Sequence, residues 1–361
     1  MMDTLKAFGA PSRYIQGQNA LRLLPEIVAE FGTSPFILMD DVVSGAIGQA
    51  TTDAFQEKQM SACLSNFSGE CTGREIDRQT NEAKRKKIDI VIGIGGGKTI
   101  DTAKGVSLQL GVPIIVAPSI ASNDAPTSRL IVVYDEHHHI AEVRKLVQNP
   151  DVVLVDTKVI ARAPTRFLLA GIGDAIAKKF EAEQCAKTNA LNFFGGRQTH
   201  TALALCNICY EILRHHGVAA IAAVEQDEVN DHVESIVEAT VLLSGLGFES
   251  GGLALAHGLT RGLSAQKEAQ NALHGELVAW GLLVQLVAEG RDDVFLADIL
   301  AFYKSIGLPM RMGDIGFDAV DDGKINAIAE VTHREAPYIK NLERELTVDR
   351  LIACIKDVEQ R

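Results

Sequence analysis

The chain has 361 residues, 47% of them hydrophobic, and a formal net charge of −12. That length accommodates two domains with substantial cores, and that composition excludes a disordered chain. The acidic balance, with no basic stripe, excludes nucleic acid and a membrane surface as partners. Lys84-Arg85-Lys86-Lys87 reads as the solvated last turn of a helix, its charge offsetting the dipole. No charged and apolar leader opens the sequence, and no run of about 18 apolar residues occurs, so neither a signal peptide nor a spanning helix is expected. Of the six cysteines, only Cys206 and Cys209 have C-x-x-C spacing. They lie in an Ala/Leu-rich helical stretch and read as small core residues, and reduced thiols suit a cytoplasmic protein.

From residue 12 to about 160, strands and helices alternate. Arg13 to Gln16 is a short strand, Ala20 to Phe31 a helix, and Pro35 to Met39 a strand ending at Asp40-Asp41. A helix runs from there to about Gln59, followed by a strand over Ala62 to Phe67 and a helix over Arg74 to Lys87. Asp89 to Ile94 is a buried strand, a glycine-rich turn and a helix follow, and Pro113 to Ala117 is the next strand. Leu130 to Tyr134 and Ile140 to Lys145 form a hairpin around Asp135 to His139, where His137-His138-His139 reads as a solvated turn. Val152 to Val155 closes the series. This rhythm predicts a parallel sheet covered on both faces.

After Pro164 the texture becomes Ala/Leu-rich with helical periodicity. Helices are expected over 165–187, 197–216, 226–247, 251–262, 274–289, 293–305 and 348–358. The expected organisation is an α/β Rossmann-like dinucleotide-binding domain over 1–163 and an all-α metal-binding and catalytic domain over 164–361. A small-molecule site is expected in the cleft between them.

Three segments carry chemistry. In Val91-Ile92-Gly93-Ile94-Gly95-Gly96-Gly97-Lys98-Thr99-Ile100-Asp101, a buried strand turns through glycines into a helix whose Ile100, Ala103, Val106 and Leu110 share one face. Free N–H groups and the positive dipole end make such a turn an anion site, so a phosphorylated ligand, a nucleotide, is expected there. Lys98 stands where G-x-G-x-x-G needs its third Gly, and the P-loop pattern would need its first Gly at Ile92. The second segment, residues 117–128, is a hydroxyl-rich loop at the carboxyl end of a sheet strand, where α/β folds bind ligands. The third comprises Asp174, in Gly171-Ile172-Gly173-Asp174 at a helix opening, with His257 and His274 beside glycines. One Asp and two His match a three-ligand site with an open position for substrate, although an Asp at a helix opening also suits a cap.

The stretches GIGGGKTIDTAK (93–104), IASNDAPTS (120–128), VDTKVIARAP (155–164), AGIGDAIAKKFEA (170–182), LSGLGFESGGLALAHGL (243–259) and LHGELVAWG (273–281) together resemble the glycerol dehydrogenase family. This is the metal-dependent polyol branch of the iron-containing alcohol dehydrogenase superfamily, with dehydroquinate synthase-like proteins more distant. The resemblance implies that Gly96, Gly97, Lys98, Thr99 and Asp101 hold NAD at the pyrophosphate, with Ser119, Ser122, Ser128, Leu130 and Tyr134 lining the groove. Asp40 would accept from the adenosine ribose and repel a 2′-phosphate, favouring NAD over NADP. Asp174, His257 and His274 match the metal ligands, and Asp124 the substrate-contacting carboxylate.

The implied reaction is zinc-assisted oxidation of glycerol, or a related vicinal diol, to dihydroxyacetone by a homo-oligomer, often an octamer. Iron-using relatives look to carry a further His one turn after the ligand Asp, where this chain has Lys178, so zinc is favoured. Asn123 stands where relatives usually have Thr, and Arg129 where they have a small residue. Strand alternation from Ser128 lets Arg129 face either an anionic substrate group or solvent. Two other enzyme classes compete: a P-loop phosphohydrolase using Gly97-Lys98-Thr99 and Val152 to Asp156, and a dehydroquinate synthase-like lyase. The lyase would need several Lys or Arg residues around the metal.

Overall fold

The computed structural model describes residues 4–136 and 139–361, so His137 and His138 of the expected hairpin turn lie outside the described residues. Among the described residues eight strands form: β1 Arg13–Gly17, β2 Pro35–Met39, β3 Cys63–Asn66, β4 Ile90–Gly95, β5 Ile114–Pro118, β6 Leu130–Tyr134, β7 Ile140–Lys145 and β8 Val152–Asp156. Six of them make one parallel sheet in the order β1-β8-β5-β4-β2-β3, and β6 and β7 form the separate antiparallel hairpin. The helices of this half are α1 Leu24–Phe31, α2 Asp41–Val43, α3 Gln49–Glu57, α4 Gly73–Arg85, α5 Gly97–Leu110 and α6 Thr157–Ala161.

The central strands are apolar on both faces because both faces are covered. Ile37, Met39, Ile92, Ile94 and Ile115 pack on the side of α1 and α3. Phe36, Leu38, Val91 and Val116 pack on the side of α4 and α5. Each such buried side chain contributes roughly 1.5–3 kcal/mol relative to exposure. Strand order reverses between β2 and β4, so the crevice at their carboxyl ends is the point where open α/β sheets take ligands. Asp40 and the Gly95-Gly96-Gly97 turn lie there.

The remaining helices are α7 Thr165–Ile176, α8 Lys178–Thr188, α9 His200–Val224, α10 Asp231–Val237, α11 Ser244–Gly251, α12 Leu255–Ser264, α13 His274–Glu289, α14 Asp293–Ile306, α15 Asp322–Glu335 and α16 Val348–Gln360. One helix expected over 165–187 is two, broken at Ala177. Helix α15 was not expected: its buried stripe, Ile325, Ile328, Ala329 and Thr332, is half Ala and Thr and gives a weak periodic signal. Cys206 and Cys209 are buried and unpaired, as small core residues should be. No single helix among the described residues is long and apolar enough to cross a membrane.

Candidate metal and dinucleotide site

Asp174, Lys178 and Glu181 follow one another at spacings of four and three, which puts them on one face of the α7–α8 run despite its break. All three are fully buried. Asp174 sits in the last turn of α7, not at a helix opening, and caps nothing; the expectation from Gly171 and Gly173 is corrected here. Those glycines are needed for close approach: a Cβ at Gly171 would stand 1.9 Å from the Ala121 carbonyl oxygen, and one at Gly173 2.5 Å from that of Gly275.

His257 lies in the first turn of α12, where Glu181 governs it. Glu181 Oε1 accepts from the backbone N–H groups of Ala254 and His257 at 2.8 and 3.0 Å, satisfying amides at the helix start. Its Oε2 lies 2.6 Å from His257 Nδ1. Burial opposes a charge on His257, but Glu181 and Asp174 raise its pKa to about 9, and its Nε2 faces inward, 3.1 Å from Asp174 Oδ1. His274 is the first residue of α13, and Glu276 reaches back to accept from Leu273 N at 2.8 Å, fixing that helix start. Arg166 at the start of α7 donates to both Glu276 oxygens, tying the two helices.

One ligand atom each from Asp174, His257 and His274 lie within 4.8 Å of one another. His257 Nε2 is 3.1 Å and His274 Nε2 3.8 Å from Asp174 Oδ1. Asp174 Oδ2 is buried without a hydrogen-bond partner, an orphaned acceptor that a cation would satisfy. Burial opposes the charge of Asp174, but the Lys178 ammonium and the imidazoles hold its carboxyl far below the ordinary range. Desolvation and the neighbouring His257 and Lys178 lower the His274 pKa against the pull of Asp174, which favours the neutral imidazole that coordinates a metal. The donor set therefore suits a divalent metal.

Lys178 Nζ lies 2.7 Å from Asp174 Oδ1, 2.9 Å from His257 Nε2 and 2.9 Å from Asp124 Oδ2. Burial alone would lower its pKa, yet Asp124 and Asp174 raise it, so it is an ammonium. Glu181 and this contact of Lys178 escaped the sequence reading; the D-x-x-x-K-x-x-E spacing was the available signal.

The 119–128 loop joins this cage to the glycine turn. Ser119 N donates to Gly95 O at 3.0 Å. A Cβ on Gly97 would meet Asn123 Nδ2 at 3.2 Å, so Asn123 lies against the turn. The next residue, Asp124, accepts from Lys178 and from Ser244 Oγ at 3.4 Å. Buried Lys104 holds the loop from below, donating to Ala125 O at 2.7 Å and Leu130 O at 3.0 Å.

Among the expected cofactor residues, Gly96 and Gly97 begin α5 with no side-chain cap, leaving its N-terminal amides for a ligand. Lys98 Nζ bonds Glu70 at 2.7 Å and lies 5.3 Å from the Tyr134 ring centre, which brings two of the expected cofactor residues, Lys98 and Tyr134, together. Asp40 caps α2 through Val43 N at 2.9 Å. Thr99, Ser119, Ser122 and Ser128 are buried around the turn and loop, and Leu130 and Tyr134 are half-buried on β6. Asp101 faces the protein: Oδ2 accepts from Val132 N at 2.9 Å and Oδ1 meets Lys104 at 3.3 Å, so it anchors β6.

Arg129 takes neither orientation left open by alternation. It crosses to the helical half, donating to Phe193 O at 2.6 Å, pairing with Glu249 and stacking 4.4 Å over Phe194. The P-loop alternative loses its acid, because Asp156 caps α6 and accepts from Asn19 N and Leu21 N.

A family model described as iron-containing alcohol dehydrogenase matches residues 11–157. A glycerol dehydrogenase of Thermotoga maritima is 40% identical over 97% of this chain and 96% of its own length. A glycolaldehyde reductase of Halobacterium salinarum is 39% identical over 94% and 93%. The solved structure of glycerol dehydrogenase from Schizosaccharomyces pombe superposes with a TM-score of 0.95 at 31% identity, covering 99% of this chain and 91% of that one. A parallel sheet with a glycine turn at its switch point, a caged Asp/His/His set and near-full-length identity agree: the chain belongs to the iron-containing alcohol dehydrogenase family, in its glycerol dehydrogenase group.

Proposed function

We propose that this oxidoreductase oxidises glycerol, or a related vicinal diol, to the corresponding ketone, with NAD at the glycine turn and Zn²⁺ held by Asp174, His257 and His274. The observation that carries the reading is the chain of contacts from Gly97 through Asn123, Asp124 and Lys178 to Asp174, which sets the cage beside the turn. When bound, zinc supplies Lewis acidity to a polyol hydroxyl and NAD supplies the hydride acceptor. The chain's own groups do the positioning. Asp124 accepts from a second substrate hydroxyl and orients the reacting carbon. Glu181 fixes the tautomer and direction of His257. Asp40, at the end of β2, takes the adenosine ribose hydroxyls, which favours NAD over a 2′-phosphorylated form.

The donor set supports zinc over iron, since the position of a fourth imidazole is Lys178. We also place the boundary between an NAD-binding domain and a catalytic domain at Ala163-Pro164, and read the protein as a cytoplasmic homo-oligomer, an octamer by analogy with the family. The lyase alternative is not favoured: among the described residues Lys178 is the cationic side chain paired with the cage, and its charge is spent on Asp124 and Asp174.

The decisive experiment is a panel of diols, hydroxy acids and simple alcohols with NAD, and glycolaldehyde with NADH, on enzyme stripped by chelator and then reloaded with zinc. Activity is expected to vanish on stripping, return with zinc and be highest on glycerol or a vicinal diol. Full activity in stripped enzyme refutes the proposal. Asp124→Asn is expected to keep zinc and NAD binding and to lower kcat/KM by on the order of ten- to a hundredfold. Glu181→Gln is expected to weaken zinc by about 10–100-fold in chelator competition, because His257 loses its orienting carboxylate.

A further inference from the structure

Lys178 draws on the same donors as a metal in the cage. Its ammonium lies 2.7 Å from Asp174 Oδ1 and 2.9 Å from His257 Nε2. The same Nε2 lies 3.1 Å from Asp174 Oδ1 and the other ring nitrogen is committed to Glu181 at 2.6 Å, so a metal that reaches Nε2 must displace the Lys178 contact. Lys178 has a third contact outside the cage, Asp124 Oδ2 at 2.9 Å, on the side of the glycine turn. The side chain is completely buried, so its ammonium has no route to water and must exchange among these three partners.

We propose that Lys178 is a tethered, exchangeable cation of the metal cage: it holds the Asp174 and His257 donors together in the metal-free enzyme and moves to Asp124 when a divalent metal takes them. This rests on the reading of Asp174, His257 and His274 as ligands. Two consequences follow from charge. Metal-free protein keeps its carboxylates compensated, because Asp124 and the fully buried Asp174 and Glu181 would otherwise gather around the two imidazoles without a balancing ammonium. Metal affinity is lower than three donors alone would give, because the metal must break two hydrogen bonds of Lys178 and then share the enclosure with a second positive charge.

The test is Lys178→Met, which keeps length and removes the charge. Zinc affinity is measured by competition with a chromophoric chelator, and the thermal midpoint is measured on stripped and zinc-loaded enzyme. Lys178→Met is expected to bind zinc at least tenfold more tightly, with a lower midpoint when stripped and a larger gain on loading. Unchanged affinity overturns the inference. So does weaker affinity, which would make Lys178 a support or a donor of the metal. If Lys178→Met does not fold, the structure of zinc-loaded wild type decides: Nζ is expected beyond about 3.5 Å from His257 Nε2 and within hydrogen-bond distance of Asp124. Nζ still bonded to Nε2 overturns the inference. Failure of wild-type enzyme to bind zinc at all would instead remove the ligand assignment beneath it.

Discussion

His274→Ala is expected to abolish zinc retention and turnover while leaving NAD binding intact. His274 stands at the first position of α13 with its side chain 47% exposed, so its loss removes a donor and disturbs little packing. Asp174 and His257 would remain, but both already contact Lys178, which then faces a weakened competitor. A lost ligand costs more than a lost orienting partner, so the fall in zinc affinity should exceed about 100-fold. Metal content after desalting, with NAD titration by calorimetry, separates the two halves of the prediction. A variant that keeps stoichiometric zinc would remove His274 from the cage.

Gly275→Ala is expected to be the most damaging single-methyl change in the protein. A Cβ there would fall 1.8 Å from the Ala170 carbonyl oxygen, inside the interface of α7 and α13. The obstacle is backbone on a buried helix and cannot rotate away. Forcing the helices apart costs on the order of 3 kcal/mol or more. It also separates His274 from Asp174, one turn beyond Ala170, so zinc and stability should be lost together. Gly45→Ala is the control: nothing lies within 4 Å of its Cβ, and its effect should stay within about 0.5 kcal/mol. Denaturant melts of both variants decide; a Gly275→Ala melt close to wild type would mean that the helices can separate freely.

The sheet was legible because buried parallel strands are short apolar runs between turn signals, and β2, β4, β5 and β8 all read that way. The break at Ala177 was not, since alanine continues a helical pattern and the Ala177 backbone itself stays in the helical region, φ −71° and ψ −26°. Asp174, His257 and His274 gave a weak spacing signal, and the resemblance gave their grouping. Gly171 in sequence suits a helix start as well as a close contact, because glycine signals both; the Ala121 carbonyl against it decides for contact. Arg129 was ambiguous because strand alternation says which face a residue takes but not what waits there, and Glu249 comes from a helix 120 residues away.

The 119–128 loop joins the glycine turn to the Asp/His/His cage and is held from both sides. The sheet grips it through Gly95 and Lys104, and the helices through Gly171, Ser244 and Lys178. A shared strut of this kind would make the proposed dinucleotide and zinc equilibria subject to one linkage relation. If dinucleotide tightens zinc by some factor through the loop, zinc must tighten dinucleotide by the same factor, and the order of loading becomes immaterial to the final complex.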